Sequence, residues 1–208
     1  STVLMLACES GKTAVVNTLL ENKNIKINLT DTNGKSALMH ASENGHDSVV
    51  SLLLKMSGIN VNLQDSKGFT ALSLAVSRGH QHTATMLLAA KDTDIKIKNV
   101  EGNHPLMLAI ENEDIETVKN IIMLQNGKLS AADLSEAKEF ADDDDMEEIS
   151  ELLETFMREL DNSEDIPMAK REIDVKANSK DVMAESMEKV SKQTDTRYNA
   201  DLYNLTIK

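Results

Sequence analysis

The chain has 208 residues, of which 40% are hydrophobic but only 2% aromatic, so its core must be built from aliphatic side chains and the eleven methionines. This composition favours helices over a β-sandwich. No apolar run approaches the roughly 18 to 20 residues needed to cross a bilayer, and the single Cys8 cannot form an internal disulfide. We therefore expect a cytoplasmic or nuclear protein that does not bind membranes.

The formal charge of −13 is concentrated in one block of the chain. Residues 133–165 contain fifteen acidic residues and two basic ones, and the rest of the chain carries twenty of each sign. Binding to a nucleic-acid backbone requires clustered Lys and Arg. The balanced body of the chain therefore argues against nucleic acid as a partner.

The sequence repeats itself at a fixed spacing of 34 residues. Four similar segments begin one period apart, at 2–7, 36–41, 70–75 and 104–109. Two sets of glycines keep the same period: Gly11, Gly45 and Gly79, and Gly34, Gly68 and Gly102. Two independent glycine registers make a chance similarity improbable, so we expect a stack of similar units.

Each unit is predicted to begin with a short helix. Ser36 and Thr70 are good N-caps because a hydroxyl can accept a free backbone N–H of the first turn, and Pro105 stands where a first-turn proline is tolerated. Gly45 and Gly79 then end the helix, since glycine readily adopts positive φ.

A second helix is predicted in each unit, followed by a turn. Its apolar residues recur at helical spacing and are expected to form a buried outer layer; they are Val15, Val16, Leu19, Leu20, Val49, Val50, Leu53, Leu54, Met86, Leu87, Leu88, Val118, Ile121 and Ile122. Turn sequences such as 31–34 and 65–68 come next. We expect a hairpin-like tip to link one helix pair to the next.

These residues resemble the ankyrin repeat, whose pattern is a turn, T-P-L-H-x-A, a Gly-His step and a Leu-rich second helix. The Gly-His pairs at 45–46 and 79–80 match, whereas Ala37 and Ala71 replace the usual proline and Glu113-Asp114 replaces Gly-His in the fourth unit. The resemblance covers residues 1–125 as four repeats. It implies an all-α solenoid of stacked helix-turn-helix units with short β-hairpin-like tips.

The spacing slips after residue 125. Residues 126–160 are interpreted as a degenerate capping repeat whose acidic outer face suits the open end of a solenoid. Residues 161–208 form a polar tail, in which 179–190 could make an amphipathic helix, with a linker or disorder as the alternative. Because the hairpin of the first repeat and an initiator methionine are missing, we expect a fragment of a longer protein.

The acidic run at 142–145 does not fit a calcium-binding loop. An EF-hand that starts at Asp142 needs glycine at its sixth position and glutamate at its twelfth, but Glu147 and Leu153 stand there. The run is interpreted as a solvated turn that complements the positive end of the following helix. An acidic docking patch for a basic partner is the alternative.

The histidines and the cysteine are explained by the repeat, so no metal, cofactor or catalytic residue is predicted. His46 and His80 occupy the Gly-His step, His104 stands at a capping position, and no Cys-x-x-Cys accompanies them. Cys8 lies where later units carry Ser42 and Val76, which favours a packing role over a nucleophile.

In this family the ligand usually lies against the tips and the inner helices. The resemblance therefore implies a partner-binding surface at Thr32, Asn33, Lys35, Ser66, Lys67, Phe69, Val100, Glu101 and Asn103 on the tips, and at Glu43, Asn44, Ser77, Arg78, Glu111 and Asn112 on the inner helices. Phe69 is singled out, because an exposed aromatic beside Lys67 and Arg78 has the composition of an interface hot spot. The alternative is that Phe69 folds back onto a neighbouring tip.

The leading hypothesis is a monomeric protein-interaction module, an adaptor or scaffold that binds a protein or peptide on its concave face. One alternative is a substrate-recruiting arm of a larger enzyme or of a secreted bacterial effector that acts in the host cytosol. Another is a reader of an unmodified basic, histone-like tail, which the acidic block would attract. Five aromatic residues in all argue against a methyl-lysine cage.

Overall fold

A computed structural model describes residues 1–124, 129–143 and 146–163 of the chain. The helices are α1 Val3–Glu9, α2 Thr13–Leu20, α3 Ala37–Glu43, α4 Asp47–Leu54, α5 Ala71–Ser77, α6 Gln81–Ala89, α7 Pro105–Glu111, α8 Ile115–Leu124, α9 Ala131–Asp143 and α10 Glu147–Ser163. In these ranges no helix has the length and hydropathy to cross a membrane. The helix considered at 179–190 and the rest of the tail from residue 164 lie outside the described residues.

The first helix of each pair begins at the predicted cap. Thr2, Ser36 and Thr70 each accept a hydrogen bond from the backbone N–H three residues on, and the Ser36 Oγ lies 3.2 Å from the Met39 nitrogen. These contacts satisfy N–H groups that a helix start leaves without partners. His104 occupies the same position before α7 without a side-chain cap, and Pro105 follows it in the first turn.

The glycines that end α1 and α3 also receive a side chain from the next pair. Gly45 has φ +64°, and the His80 ring lies so close that a Cβ on Gly45 would come within 2.6 Å of it. The His80 Nε2 donates to the Glu43 carbonyl oxygen at 3.0 Å. His46 makes the same contact one period earlier, 2.9 Å from the carbonyl oxygen of Glu9.

The helix pairs stack into two layers. The inner layer runs through α1, α3, α5, α7 and α9, and the outer layer through α2, α4, α6 and α8, while α10 packs on α9. Leu38, Leu72, Leu106 and Leu134 lie fully buried along the inner layer. The core is therefore continuous along the stack, because each pair buries the face that its neighbour leaves open.

The expectation that Val15 is buried is wrong. Val15 is 47% exposed, whereas Val49, one period later, is fully buried. Val3 and Leu6 are also exposed on this side of the first pair. Burial of this register position comes from the preceding helix pair, and no described helix packs on this side of α1 and α2.

The predicted hairpin-like tips are three copies of one turn, at residues 31–35, 65–69 and 99–103. In the first tip, the Asp31 Oδ1 accepts the N–H groups of Asn33 and Lys35, both at 2.9 Å. Asp65 and Asn99 repeat this arrangement in the second and third tips. A side chain that bonds the backbone two residues on stabilises such a turn, and an isolated antiparallel bridge between Thr30 and Ser36 closes the first tip.

The tips also stack directly on one another. The Ser66 N–H donates to the Asn33 carbonyl oxygen at 2.8 Å, and the Val100 N–H donates to that of Lys67 at 3.0 Å. A Cβ on Gly34 would lie 3.0 Å from the Asp65 Cα, so this glycine is required by close approach as well as by its φ of +78°.

The chain between outer helix and tip carries a second periodic contact in two of the repeats, which the sequence did not predict. The Asn28 Nδ2 donates to the Gly58 carbonyl oxygen at 2.7 Å, and its Oδ1 accepts the Asn60 N–H at 2.9 Å. Asn62 makes the same pair of bonds one period later, to residues 92 and 94. These amides tie successive loops together through the backbone.

Ion pairs link the fifth helix pair to the stack, in addition to buried contacts such as that of Leu134. The Lys96 Nζ lies 2.7 Å from the Asp133 Oδ2, and the Lys98 Nζ lies 3.2 Å from the Glu136 Oε1. Hydrogen bonds from Lys96 and then from Ser130 hold the pKa of Asp133 far below its usual range. Part of the acidic block is therefore neutralised within the fold.

The interpretation of 142–145 as a turn is wrong for its first half. Asp142 and Asp143 form the last residues of α9, and residues 144–145 lie outside the described residues. Asp142 accepts hydrogen bonds from Lys138 on its own helix and from the Ser150 hydroxyl of α10. Its carboxylate therefore joins the two helices while the side chain stays about half exposed.

Candidate protein interface

The predicted partner-binding residues lie on the three tips and at the ends of α3, α5 and α7, a surface we call the inner face. Its exposed members are Thr32, Asn33, Asn44, Ser66, Lys67, Ser77, Arg78, Val100, Glu101, Glu111 and Asn112, and its partly buried members are Lys35, Glu43, Phe69 and Asn103. A side chain of the tip contacts a side chain eight residues later, at the end of the following helix, in the first and third tips. The Lys35 Nζ lies 2.5 Å from the Glu43 Oε2, and the Asn103 Nδ2 lies 2.7 Å from the Glu111 Oε1.

A three-residue ion network crosses this face. Glu43 receives Lys35 on one carboxylate oxygen and the Arg78 Nη2 on the other, at 2.9 Å. Burial raises the pKa of Glu43, but the hydrogen bonds and charges of Lys35 and Arg78 outweigh it and leave the pKa lowered. Lys35 and Glu43 are mostly buried, so Arg78 offers the exposed part of this network to a ligand.

Three amides of the inner face are already engaged within the fold. The Asn44 Nδ2 donates to the His40 carbonyl oxygen at 2.8 Å, and the Asn112 Nδ2 donates to that of Val76, in the preceding pair, at 2.9 Å. Asn103 is held by Glu111. Substituting these residues would perturb the stack as well as any ligand contact.

Phe69 does not stand free on the second tip. Its ring is partly buried and packs against the hydrophobic core, while its N–H donates to the Asp65 Oδ1 at 2.9 Å. The exposed apolar side chain of the inner face is Val100, which is 73% exposed on the third tip. The structure thus favours an inward-packed Phe69 over an exposed hot spot.

Beneath the first tip lies a buried pair that the sequence analysis missed. The His40 Nε2 is 3.0 Å from the Asp31 Oδ2. Burial raises the pKa of Asp31, but hydrogen bonds from the N–H groups of Lys35 and Asn33 and from His40 outweigh it, so the pKa is lowered. The repeat carries no signal for this pair, because Leu74 and Leu108 stand at the positions equivalent to His40.

Two further groups with possible chemistry are buried. Burial raises the pKa of the Cys8 thiol to about 12, so it is protonated at neutral pH and unsuited to nucleophilic attack. His104 is almost fully buried, and neither ring nitrogen has a hydrogen-bond partner among the described residues. Burial lowers the pKa of His104, which keeps the ring neutral.

Across the described part of the chain, no three His, Cys, Asp or Glu side chains come close enough to hold a metal ion.

Comparison with known proteins agrees with this geometry. A family model described as ankyrin repeats in three copies matches residues 1–65 and, in a second overlapping match, residues 57–133. A search of curated proteins found no match. The two family matches together span more than half of the chain, over the same helix pairs that stack in the structure. The chain therefore belongs to the ankyrin-repeat family.

Proposed function

We propose that this chain binds a protein or peptide partner through the inner face. Ankyrin repeats are in general protein-interaction modules and are typically not catalytic. The observation that carries the proposal is a group of three exposed side chains on neighbouring tips, Lys67, Val100 and Glu101, which we call the tip triad. The charged groups of Lys67 and Glu101 have no partner among the described residues, although stacking engages most other charges of this face.

The tip triad is held in place by the backbone. The Val100 N–H donates to the Lys67 carbonyl oxygen at 3.0 Å, and the Glu101 N–H donates to the Asn99 Oδ1 at 3.0 Å. A rigid backbone that presents free side chains reduces the entropy lost on binding. The triad offers an apolar contact between a cation and an anion, which suits an extended peptide with an apolar residue flanked by charges.

The charge of the inner face favours a partner of mixed charge. Its cations are Lys35, Lys67 and Arg78, and its anions are Glu43, Glu101 and Glu111. Balanced charge gives specificity through local pairing and does not attract one strongly charged ligand. A strongly basic partner would find its complement elsewhere, on the exposed carboxylates of α9 and α10.

The test is affinity capture from lysate followed by direct binding of the recovered partner. Lys67→Glu with Val100→Asp reverses the charge and removes the apolar contact of the tip triad, and we expect it to lower partner affinity by about tenfold or more. The matched control is Lys12→Glu with Val15→Asp, which makes the same changes at exposed positions of the first pair, away from the tips. Equal affinity of the two double variants would refute the inner face as the binding surface.

A basic peptide that binds α9 and α10 is the second candidate. Lys96 and Lys98 neutralise Asp133 and Glu136, but exposed carboxylates remain at Glu139, Asp143, Glu147, Glu148 and Glu151. Titration with a lysine-rich peptide should then show affinity that falls steeply with salt. The tip-triad variant should leave this binding unchanged, so the two candidates separate in one experiment. A role as the recruiting arm of a larger enzyme or effector is compatible with either surface.

A further inference from the structure

The three tips form a row in which each tip accepts a hydrogen bond from the next. The Asn33 carbonyl oxygen of the first tip accepts the Ser66 N–H of the second at 2.8 Å. The Lys67 carbonyl oxygen of the second tip accepts the Val100 N–H of the third at 3.0 Å. The Glu101 carbonyl oxygen stands one period later and accepts no hydrogen bond from the residues that the structure describes. The row therefore ends on an open backbone acceptor.

The glycines of the tips show the same open end. A Cβ on Gly34 would lie 3.0 Å from the Asp65 Cα of the second tip. A Cβ on Gly68 would lie 2.9 Å from the Asn99 Cα of the third. A Cβ on Gly102 would meet no described atom within 4 Å, and Gly102 is exposed whereas the other two glycines are partly buried. The surface that a following tip would cover is thus bare on the third tip.

The link to the fifth helix pair is too short to supply a fourth tip. Residues 90–104 join α6 to α7 and contain the third tip, but only residues 125–130 join α8 to α9. Helix α9 reaches the chain just before the third tip, through the ion pairs of Lys96 and Lys98. Val100, two residues further on, remains 73% exposed. The bare surface therefore adjoins the exposed side chains of the tip triad.

From this comparison we infer that the protein partner places a turn of its own backbone against the third tip, where it continues the row as a fourth tip. One N–H of that turn donates to the Glu101 carbonyl oxygen, and its backbone lies over Gly102, which has no Cβ to keep it away. Unpaired backbone groups at an exposed edge bind other chains in this way. The inference rests on the proposed function, because Val100 and Glu101 belong to the tip triad, and a peptide that crosses the triad can end in this turn.

The second tip shows what kind of turn fits. It opens with Asp65, whose side chain accepts the N–H groups of Lys67 and Phe69. The Ser66 N–H is not used within the turn and bonds the first tip instead. On the third tip the exposed Glu101 carboxylate has no ion partner in the described ranges, so a cation at the register position of Lys67 would be attracted to it. The expected partner motif is Asp or Asn, any residue, Lys or Arg, and then Gly.

The probe is the second tip itself, as a peptide of residues 63–71 closed into a ring through added terminal cysteines. Titrated into the whole chain labelled with ¹³C and ¹⁵N, it should shift the Glu101 carbonyl carbon and the Gly102 amide, with a dissociation constant on the order of millimolar. N-methylation at the Ser66 nitrogen of the peptide removes the donated N–H and should weaken binding by about two- to tenfold. Shifts that do not saturate, or equal binding of the two peptides, would overturn the proposal.

A substitution at Gly102 tests the surface of the chain itself. Asparagine tolerates positive φ better than other side chains, so Gly102→Asn should keep the φ of +91° while its side chain covers the bare surface. We expect it to bind the cyclic peptide at least about fivefold more weakly. Gly58→Asn is the matched control, because Gly58 has φ +81° and likewise no described atom within 4 Å of a Cβ. Equal binding by the two variants, each with native amide spectra, would count decisively against the docked turn.

The inference and the proposed function can fail separately. A captured partner that loses affinity for the tip-triad variant, but binds Gly102→Asn as well as Gly58→Asn, would leave the inner face as the binding surface and overturn the fourth tip. Loss of affinity with the tip-triad variant and with Gly102→Asn, but not with Gly58→Asn, would support both. Equal affinity of all variants would overturn both.

Discussion

Gly45 contacts the His80 ring whereas Gly79 contacts no side chain, which predicts a large difference in stability between two matched substitutions. Gly45→Ala and Gly79→Ala both place a side chain at positive φ, +64° and +72°, which costs about 1–2 kcal/mol for a non-glycine residue. Only at Gly45 does the new Cβ collide, 2.6 Å from the His80 ring. Displacing that ring also breaks its hydrogen bond to Glu43, worth about 0.5–1.5 kcal/mol. We expect the free energy of unfolding to fall by about 1.5–3.5 kcal/mol for Gly45→Ala and by about 1–2 kcal/mol for Gly79→Ala.

Urea unfolding followed by circular dichroism measures both variants, with the slope of each transition as a check on cooperativity. A double-mutant cycle with His80→Ala isolates the steric part, because removing the ring leaves only the cost of φ at Gly45. The difference between the two alanine variants should then largely disappear. Equal destabilisation of Gly45→Ala and Gly79→Ala in the presence of His80 would show that the histidine contact does not explain the glycine.

Three further outcomes follow from buried or paired groups. Cys8 should resist thiol reagents in the native protein, because it reacts only when the first helix pair opens. Its labelling rate in mild urea should therefore follow local unfolding of that pair. Rapid labelling of the native protein would contradict its burial. Because His104 has a pKa below its ordinary 6.5, the unfolded chain binds more protons as the pH falls below that value, and stability should drop from about pH 7 to about pH 5. His104→Thr should remove this dependence of stability on pH. Because a threonine at this position can cap the helix as Thr70 does, it should also add about 1 kcal/mol to the free energy of unfolding at neutral pH. An unchanged pH dependence in thermal melting would show that His104 is not its cause. Lys96→Met should lower the free energy of unfolding by no more than about 1 kcal/mol at neutral pH, because the Lys96–Asp133 pair is partly exposed. The difference in stability between this variant and the native chain should shrink as the pH falls below 3.8, the ordinary pKa of an aspartate. A difference in stability that persists in acid would exclude the ion pair as its cause.

Local sequence signals predicted most of the secondary structure because each acts within a few residues. The Ser36 and Thr70 caps, the proline at the start of α7 and the glycines after α3 and α5 all lie where the pattern placed them. A capping side chain contacts only the first turn of its own helix, and a glycine that ends a helix depends only on its own positive φ. The 34-residue period then identified the units as repeats, which the family match confirms.

Which side chains of the inner face are exposed was harder to predict, because exposure depends on neighbours that a repeat register does not specify. Phe69 has the residue type of a hot spot but packs against the core, whereas Val100 remains open on the third tip. The register predicted the inner face as a set of positions on the tips and helix ends, and their role in binding stays a prediction. It could not show that Glu43 binds Lys35 and Arg78 together, since that network joins side chains 8 and 35 residues apart.

By itself, the sequence determined the period, the helix starts and ends, and the membership of the ankyrin-repeat family, because these depend on local backbone preferences repeated four times. Only the tertiary structure decided which repeated positions are buried. Val15 is exposed although Val49 is buried, because packing in a stack comes from the adjacent pair. It likewise decided that no histidine ring covers Gly79, because Asp114 of the next pair stands where the earlier pairs carry His46 and His80.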